Sequence, residues 1–151
     1  MSDIARRLRQ LRSAMRVRLL AHEQAEQGLA RATQQLRQAE QALDVEQSRY
    51  RMLLSQHQQV AGKGVSLDPA MMEQRLLALM SARSALDARR RQAGEVRQAE
   101  QQAKSALAQA RLALEAVTKA SGRVRVMAAD RLRAHEQIEI FEAACRQGAG
   151  T

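Results

Sequence analysis

Val60-Ala61-Gly62-Lys63-Gly64-Val65-Ser66-Leu67-Asp68-Pro69 is the one stretch that clearly interrupts an otherwise helical sequence. A glycine costs about 1 kcal/mol relative to alanine in a helix interior, and Gly62 and Gly64 lie two residues apart. Asp68 followed by Pro69 is a helix-start signature, because aspartate caps helix N-termini and proline is favoured at the first helical position. The stretch therefore predicts that one helix ends near Ala61 and that another begins near Asp68.

The composition is that of a long-helix protein rather than of an ordinary globular domain. The 151 residues include one Phe, one Tyr and no Trp. Ala, Leu, Gln, Arg and Glu dominate, which is typical of coiled coils. With so few aromatic residues a thick core is excluded, and burial must come from a narrow seam of alanine and leucine.

The first helix carries an unbroken heptad pattern, with apolar residues spaced alternately four and three apart. Arg18, His22, Glu46 and His57 interrupt it, and Leu19 could replace Arg18 if the helix slips locally. One row is Ile4, Leu11, Arg18, Ala25, Ala32, Ala39, Glu46, Leu53 and Val60, and the other is Leu8, Met15, His22, Leu29, Leu36, Leu43, Tyr50 and His57.

The second helix carries a similar pattern in two blocks. The register jumps by three residues between them, beside Arg89-Arg90-Arg91 and Gly94, which predicts a stammer, a local overwinding of the supercoil. The first block is Met72, Leu76, Leu79, Arg83, Leu86, Arg90 and Ala93, and the second is Val96, Glu100, Ala103, Leu107, Ala110, Leu114, Val117, Ser121 and Val124.

These patterns predict an all-α fold in which two long helices form an antiparallel coiled-coil hairpin with a C-terminal helical overhang. Folding at the glycine stretch would place Leu53 opposite Leu76 or Leu77, and Leu43 opposite Leu86 or Asp87. We expect a single domain over residues 1–151. Its parts are a helix over 3–61, a tip over 62–68, a helix over 69–146 with a possible kink near 121–122, and a disordered tail over 147–151.

The formal charge of +9 is concentrated in two segments. Residues 1–20 hold six arginines and one aspartate, and residues 119–133 hold one lysine, four arginines and one aspartate. The predicted hairpin brings both segments to its open end. Such a basic surface favours an acidic partner. At the tip, Met52, Leu54, Met71, Leu77 and Met80 are apolar but lie off the seam, which favours a protein interface there.

No pattern of catalytic or metal-binding residues is present in the sequence. His22, His57 and His135 are far apart, and Cys145 has no neighbouring base. Gly62-Lys63-Gly64 lacks the glycine spacing and the Lys-Ser/Thr ending of a phosphate loop, and a two-helix protein offers no concave catalytic pocket. We therefore expect a non-enzyme with no metal and no cofactor.

The single cysteine excludes an internal disulfide and fits a reducing compartment. No apolar run approaches the roughly 20 residues of a membrane span, and the basic N-terminus has no apolar segment after it. We expect a soluble, cytoplasmic protein.

In plan, the chain resembles the FliJ/YscO/HrpO-type stalk proteins of bacterial flagellar and type III secretion export. The resembling stretches are Arg6-Arg7-Leu8-Arg9-Gln10-Leu11-Arg12, the glycine-containing tip with Pro69 after it, and Met72–Arg83. Tips of that family often carry an aromatic residue, where this chain has Met and Leu.

The resemblance implies a protein that couples a secretion ATPase to its export gate, in flagellar assembly or bacterial virulence. Members resemble the central shaft of rotary ATPases, and their open end inserts in the hexameric export ATPase. Their tip reaches the cytoplasmic ring of the export gate, at the periphery of the inner membrane, and some bind secretion chaperones. The implied ATPase-binding residues are Arg6, Arg7, Arg9, Arg12, Arg16, Arg123, Arg125, Arg131 and Arg133. The implied gate-binding or chaperone-binding residues are Met71, Met72, Leu76, Leu77, Leu79 and Met80.

Two alternatives remain open from the sequence. The arginines could bind nucleic-acid phosphates, although the chain has almost no aromatic residue to stack on bases. The chain could also be a purely structural coiled coil that dimerises as one long helix, which the glycines and Pro69 disfavour.

Overall fold

The computed structural model describes residues 2–63 and 68–150, and these residues form two long helices without strands. Helix α1 spans Ser2–Gly62 and helix α2 spans Pro69–Gly148. The predicted all-α, two-helix fold is confirmed, and the helix ends lie within two residues of their predicted positions. Most of the predicted tip, residues 64–67, and Thr151 of the predicted tail lie outside the described residues.

The start of α2 shows the cap that Asp68 and Pro69 predict. The Ala70 amide donates to Asp68 Oδ1 at 3.4 Å, and the Met72 amide donates to the Asp68 carbonyl at 3.1 Å. At the other end, the Ala149 amide donates to the Cys145 carbonyl at 3.1 Å. The helix therefore continues to Gly148 rather than ending at 146.

The chain divides into two compact units, each built from one segment of α1 and one of α2. The first, which we call the loop unit, spans Glu26–Ala106 and contains the end of α1 and the beginning of α2. The second, the terminal unit, contains the chain up to Ala25 and from Leu107 onward. In each unit the pairing of an early segment with a late one follows the order of an antiparallel helix pair.

The loop unit is held by a seam of small side chains. Ala32, Ala39, Ala82, Leu86 and Ala93 are buried there. Alanine on the seam allows two helix backbones to approach closely, so that narrow side chains fill the space between them.

Cross-helix neighbours define the register of the loop unit. Leu53 lines a groove with Leu79, and Ala39 lines another with Val96. An ion pair joins Arg97 Nη2 to Glu40 Oε1 at 3.4 Å. These neighbours lie within about two helical turns of the predicted antiparallel register.

The seam predicted for α1 is confirmed along its whole length with one exception. Every predicted seam residue of α1 is buried or half-buried except Arg18, which is exposed. Leu19 does not replace it, since 44% of that side chain is exposed. Ala14 and Ala21 are half-buried instead, so the helix keeps its register past the arginine.

The predicted stammer in α2 is wrong, because one continuous heptad pattern runs from Met72 to Ala128. Ala82 is only 2% exposed, whereas its neighbour Arg83 is exposed. Likewise Arg75 is half-buried and Leu76 is exposed. The packed rows are 72, 79, 86, 93, 100, 107, 114, 121 and 128, and 75, 82, 96, 103, 110, 117 and 124; Arg89, which completes the second row, is exposed. The true seam thus passes through Arg75 and Ala82, and the predicted seam residues Leu76, Arg83 and Arg90 face outward.

Helix α2 runs through the Ser121-Gly122 pair, with Ser121 buried on the seam and Gly122 exposed. The kink near 121–122 stays a prediction. Beyond Ala128, every residue from 129 to 150 is exposed, and we call this segment the overhang. The predicted C-terminal overhang is therefore confirmed. Neither described helix contains a segment apolar enough to cross a membrane.

Candidate protein-interaction surfaces

The nine arginines predicted to bind an ATPase all belong to the terminal unit, and all nine are exposed. They come from two separate parts of the sequence, the first turns of α1 and the last third of α2. We call them the arginine cluster: Arg6, Arg7, Arg9, Arg12, Arg16, Arg123, Arg125, Arg131 and Arg133.

Little of the positive charge in the arginine cluster is neutralised within the chain. Arg7 contacts Asp3 at 3.5 Å, and Arg133 contacts Asp130 at 3.7 Å, both through exposed side chains. Among the described residues, the other seven arginines of the cluster have no carboxylate oxygen within 4.0 Å. Exposed guanidinium groups of this kind remain free to form bidentate pairs with carboxylates or phosphates of a partner.

The six residues predicted to bind a gate or chaperone divide into two sets. Met72 and Leu79 are half-buried on the seam. Met71, Leu76, Leu77 and Met80 are exposed, Met80 to the extent of 68%, and these four are called the methionine face. The continuous heptad of α2 explains this division, because it packs Arg75 and Ala82 inward and leaves the larger apolar side chains outside.

A basic groove lies next to the methionine face, and the sequence interpretation missed it. It is lined by Met80, Arg83, Ser84, Asp87, Arg90 and Arg91 and is called the arginine groove. Arg90 Nη1 lies 3.9 Å from Asp87 Oδ1, and Arg89 Nη1 donates to Gln92 Oε1 at 3.0 Å. In the sequence, the triplet Arg89-Arg90-Arg91 is the feature that marks this groove. The heptad pattern alone interprets the triplet as a weak point of the helix.

Between residues 134 and 145 the overhang has the opposite character, since this part of it is apolar and acidic. Ile138, Ile140 and Phe141 are all exposed, and 71% of Phe141 is accessible to solvent. The overhang carboxylates that are paired have partners one turn away: Glu139 lies 3.4 Å from His135 and Glu142 lies 3.9 Å from Arg146. Residues 134–145 contain three glutamates and neither lysine nor arginine.

The histidines and the cysteine do not assemble into a site. His22 and His57 are half-buried on α1, whereas His135 and Cys145 are exposed on α2. Within residues 2–63 and 68–150, no three His, Cys, Asp or Glu side chains are placed to hold a metal ion.

Comparison with protein-family models, with curated proteins and with solved structures gives no match.

Proposed function

We propose that this chain is a non-enzymatic coupling protein of a type III protein export apparatus, of the flagellar or the virulence type. In this proposal it acts in the cytoplasm, at the periphery of the inner-membrane export apparatus. The arginine cluster binds the hexameric export ATPase. The methionine face binds the cytoplasmic ring of the export gate or a secretion chaperone.

The observation that carries the proposal is the uncompensated charge of the arginine cluster. Seven of its exposed arginines have no carboxylate within 4.0 Å among the described residues, although the chain has 16 acidic residues. A surface of this kind accelerates encounter with an acidic partner and fixes its orientation. The acidic lumen of an ATPase ring would provide such a partner.

The methionine face supports a second contact of different chemistry. Methionine side chains are flexible and polarizable, and they suit interfaces that adapt to more than one partner. An ordinary protein surface exposes single, scattered leucines, whereas this face exposes four apolar side chains within ten residues. A coupling protein needs two unlike surfaces, and the terminal unit and the loop unit each provide one.

The proposal is tested by the ATPase activity and hexamer formation of the cognate export ATPase, with and without this protein. The test variant changes Arg9, Arg12, Arg123 and Arg125 to Glu. The matched control changes Arg31, Arg37, Arg49 and Arg51 to Glu, four exposed arginines of the loop unit, and alters the net charge equally. We expect stimulation by the wild type and the control and a loss of at least about tenfold in ATPase affinity with the test variant.

Equal stimulation by both variants would refute the proposal. Binding to nucleic acid is the principal rival, because the same guanidinium groups can neutralise phosphates. If the arginine cluster binds RNA at physiological salt and the ATPase does not respond, a nucleic-acid function replaces the coupling function.

A further inference from the structure

Two exposed surfaces of this chain match each other in chemistry. The overhang between residues 134 and 145 presents Ile138 and Phe141, one turn apart on one face, together with three glutamates. The outer face of α2 between residues 76 and 91 presents exposed Leu76, Leu77 and Met80 beside three arginines of the arginine groove. Each surface therefore combines an apolar patch with charge of one sign, and the two signs are opposite.

The two surfaces lie on separate stretches of the same helix. Both belong to α2, which is a single uninterrupted helix over Pro69–Gly148. Two parts of one continuous helix cannot pack side by side, because the chain between them would have to fold back. The occupant that matches the arginine groove is therefore the overhang of another copy.

We propose that this protein associates with itself head to tail, the overhang of one copy docking on the methionine face and arginine groove of the next. The apolar contact places Ile138 and Phe141 against Met80, Leu76 and Leu77. Methionine makes favourable contacts with aromatic rings. The helix docks through anchors spaced three and four residues apart, as amphipathic helices do in receiving grooves.

The charged contact supplies the specificity of this pairing. Arg83 has no carboxylate within 4.0 Å among the described residues, nor has Arg91, and Asp87 is the one acidic residue lining the groove. Glutamates 136, 139 and 142 bring three carboxylates to these guanidinium groups. Pairing of this type is charge-assisted and can be bidentate.

The symmetry of the contact determines what assembles. When the overhang of one copy docks on a second copy, the overhang of the second copy either docks in the groove of the first or docks on a third copy. The first arrangement closes a dimer about a twofold axis, and the second generates a ring or an open chain. The contact also covers Met80 of the methionine face, so that self-association and the proposed gate contact exclude each other at that residue.

The experiment uses the full chain and two charge-reversed variants in sedimentation equilibrium. One variant changes Glu136, Glu139 and Glu142 to Lys, and the other changes Arg83, Arg90 and Arg91 to Glu. All six side chains are exposed, so neither variant removes packing. We expect the mass of the wild type to rise beyond that of a monomer between about 10 µM and 1 mM, the range of a weak interface. Each variant alone should stay monomeric.

The mixture of the two variants is the decisive measurement. Each variant alone carries charge of the same sign on its overhang and its groove, whereas in an equimolar mixture each overhang meets a groove of opposite charge on the other variant, so the mixture should associate as the wild type does. A matched control changes Arg31, Arg37 and Arg49 to Glu, and it should associate like the wild type.

Two results would overturn the proposal. They are a wild type that stays monomeric throughout and association that persists in the Arg→Glu variant. The second would indicate that overhangs pair with each other. The export ATPase takes no part in this experiment, so its outcome is independent of the proposed function.

Discussion

Two glutamates occupy seam positions, and their surroundings differ. Glu100 Oε1 forms a salt bridge with Lys104 Nζ at 2.7 Å, which pairs the negative charge of the carboxylate at the edge of the seam. Glu46 has a buried Oε2 with no hydrogen-bond partner among the described residues. A buried polar atom without a partner costs about 1–3 kcal/mol relative to its hydrated state. Glu46 is therefore a weak point of the packed helix pair.

We expect Glu46→Leu to raise the free energy of unfolding by about 1 kcal/mol, because it removes the unpaired oxygen and adds apolar surface to the seam. Thermal unfolding followed by circular dichroism should show a melting temperature about 2–4 °C higher. Glu100→Leu is the matched control, and it should gain less because it also breaks the contact with Lys104. Equal gains from both substitutions would mean that the unpaired oxygen of Glu46 does not weaken the seam.

At the scale of the helices, the heptad of α1 was predictable and that of α2 was not. In α1 most of the seam positions are apolar residues, so hydrophobicity alone finds the register and carries it past Arg18, His22, Glu46 and His57. In α2, Leu76 is more apolar than its neighbour Arg75, so hydrophobicity alone places Leu76 on the seam and moves one row by a residue, to Arg83 instead of Ala82. The shifted row rejoins the observed one only through a stammer near Gly94.

The missed surfaces follow from the same cause. A seam through Leu76 also contains Arg83 and Arg90, and it therefore predicts no outward groove at these arginines. Steps of four and three, counted back from Leu107, reproduce the observed register of α2. Exposure of the methionine face, in contrast, was predicted correctly for Met71, Leu77 and Met80, since no seam could accommodate them.

The corrected register makes a direct prediction about neighbouring residues. Ala82→Glu places a carboxylate where the side chain is 2% exposed, whereas Arg83→Glu changes an exposed side chain. We expect the first to cost at least about 2 kcal/mol of stability and the second less than about 0.5 kcal/mol. Guanidinium denaturation measures both. If Arg83→Glu were the more damaging change, the register with a stammer would be restored.

The overhang should differ from the packed helices in its dynamics. Residues 129–150 have no buried side chain, so their helix depends on local propensity and on continuity with α2. A helix without tertiary packing opens with a small free energy. We expect amides of residues 132–146 to exchange with deuterium at least about a hundredfold faster than those of residues 82–93 in dilute protein. Comparable protection in the two segments would show that the overhang is packed against something.

At the scale of the whole molecule, the charge is not distributed evenly between surfaces. The formal charge is +9, yet residues 134–145 carry only acidic groups besides His135. Sequence composition predicts the total and the basic segments. It does not predict which arginines remain unpaired, because that depends on carboxylates within 4.0 Å of them in three dimensions.

This distribution predicts that salt affects stability and self-association in opposite directions. Repulsion within the arginine cluster opposes folding and is screened as the Debye length falls from about 20 Å to about 6 Å between roughly 20 and 300 mM NaCl. The melting temperature at about 1 µM protein should therefore rise by a few degrees. Over the same range the head-to-tail association constant should fall by at least about threefold, because salt screens the attraction between the arginine groove and the overhang.

A variant with Arg6, Arg9 and Arg12 changed to Gln should show a smaller rise in melting temperature and an unchanged loss of association. If salt instead strengthened association in both proteins, the contact between copies would be apolar alone, and the charges of the arginine groove would have no part in it.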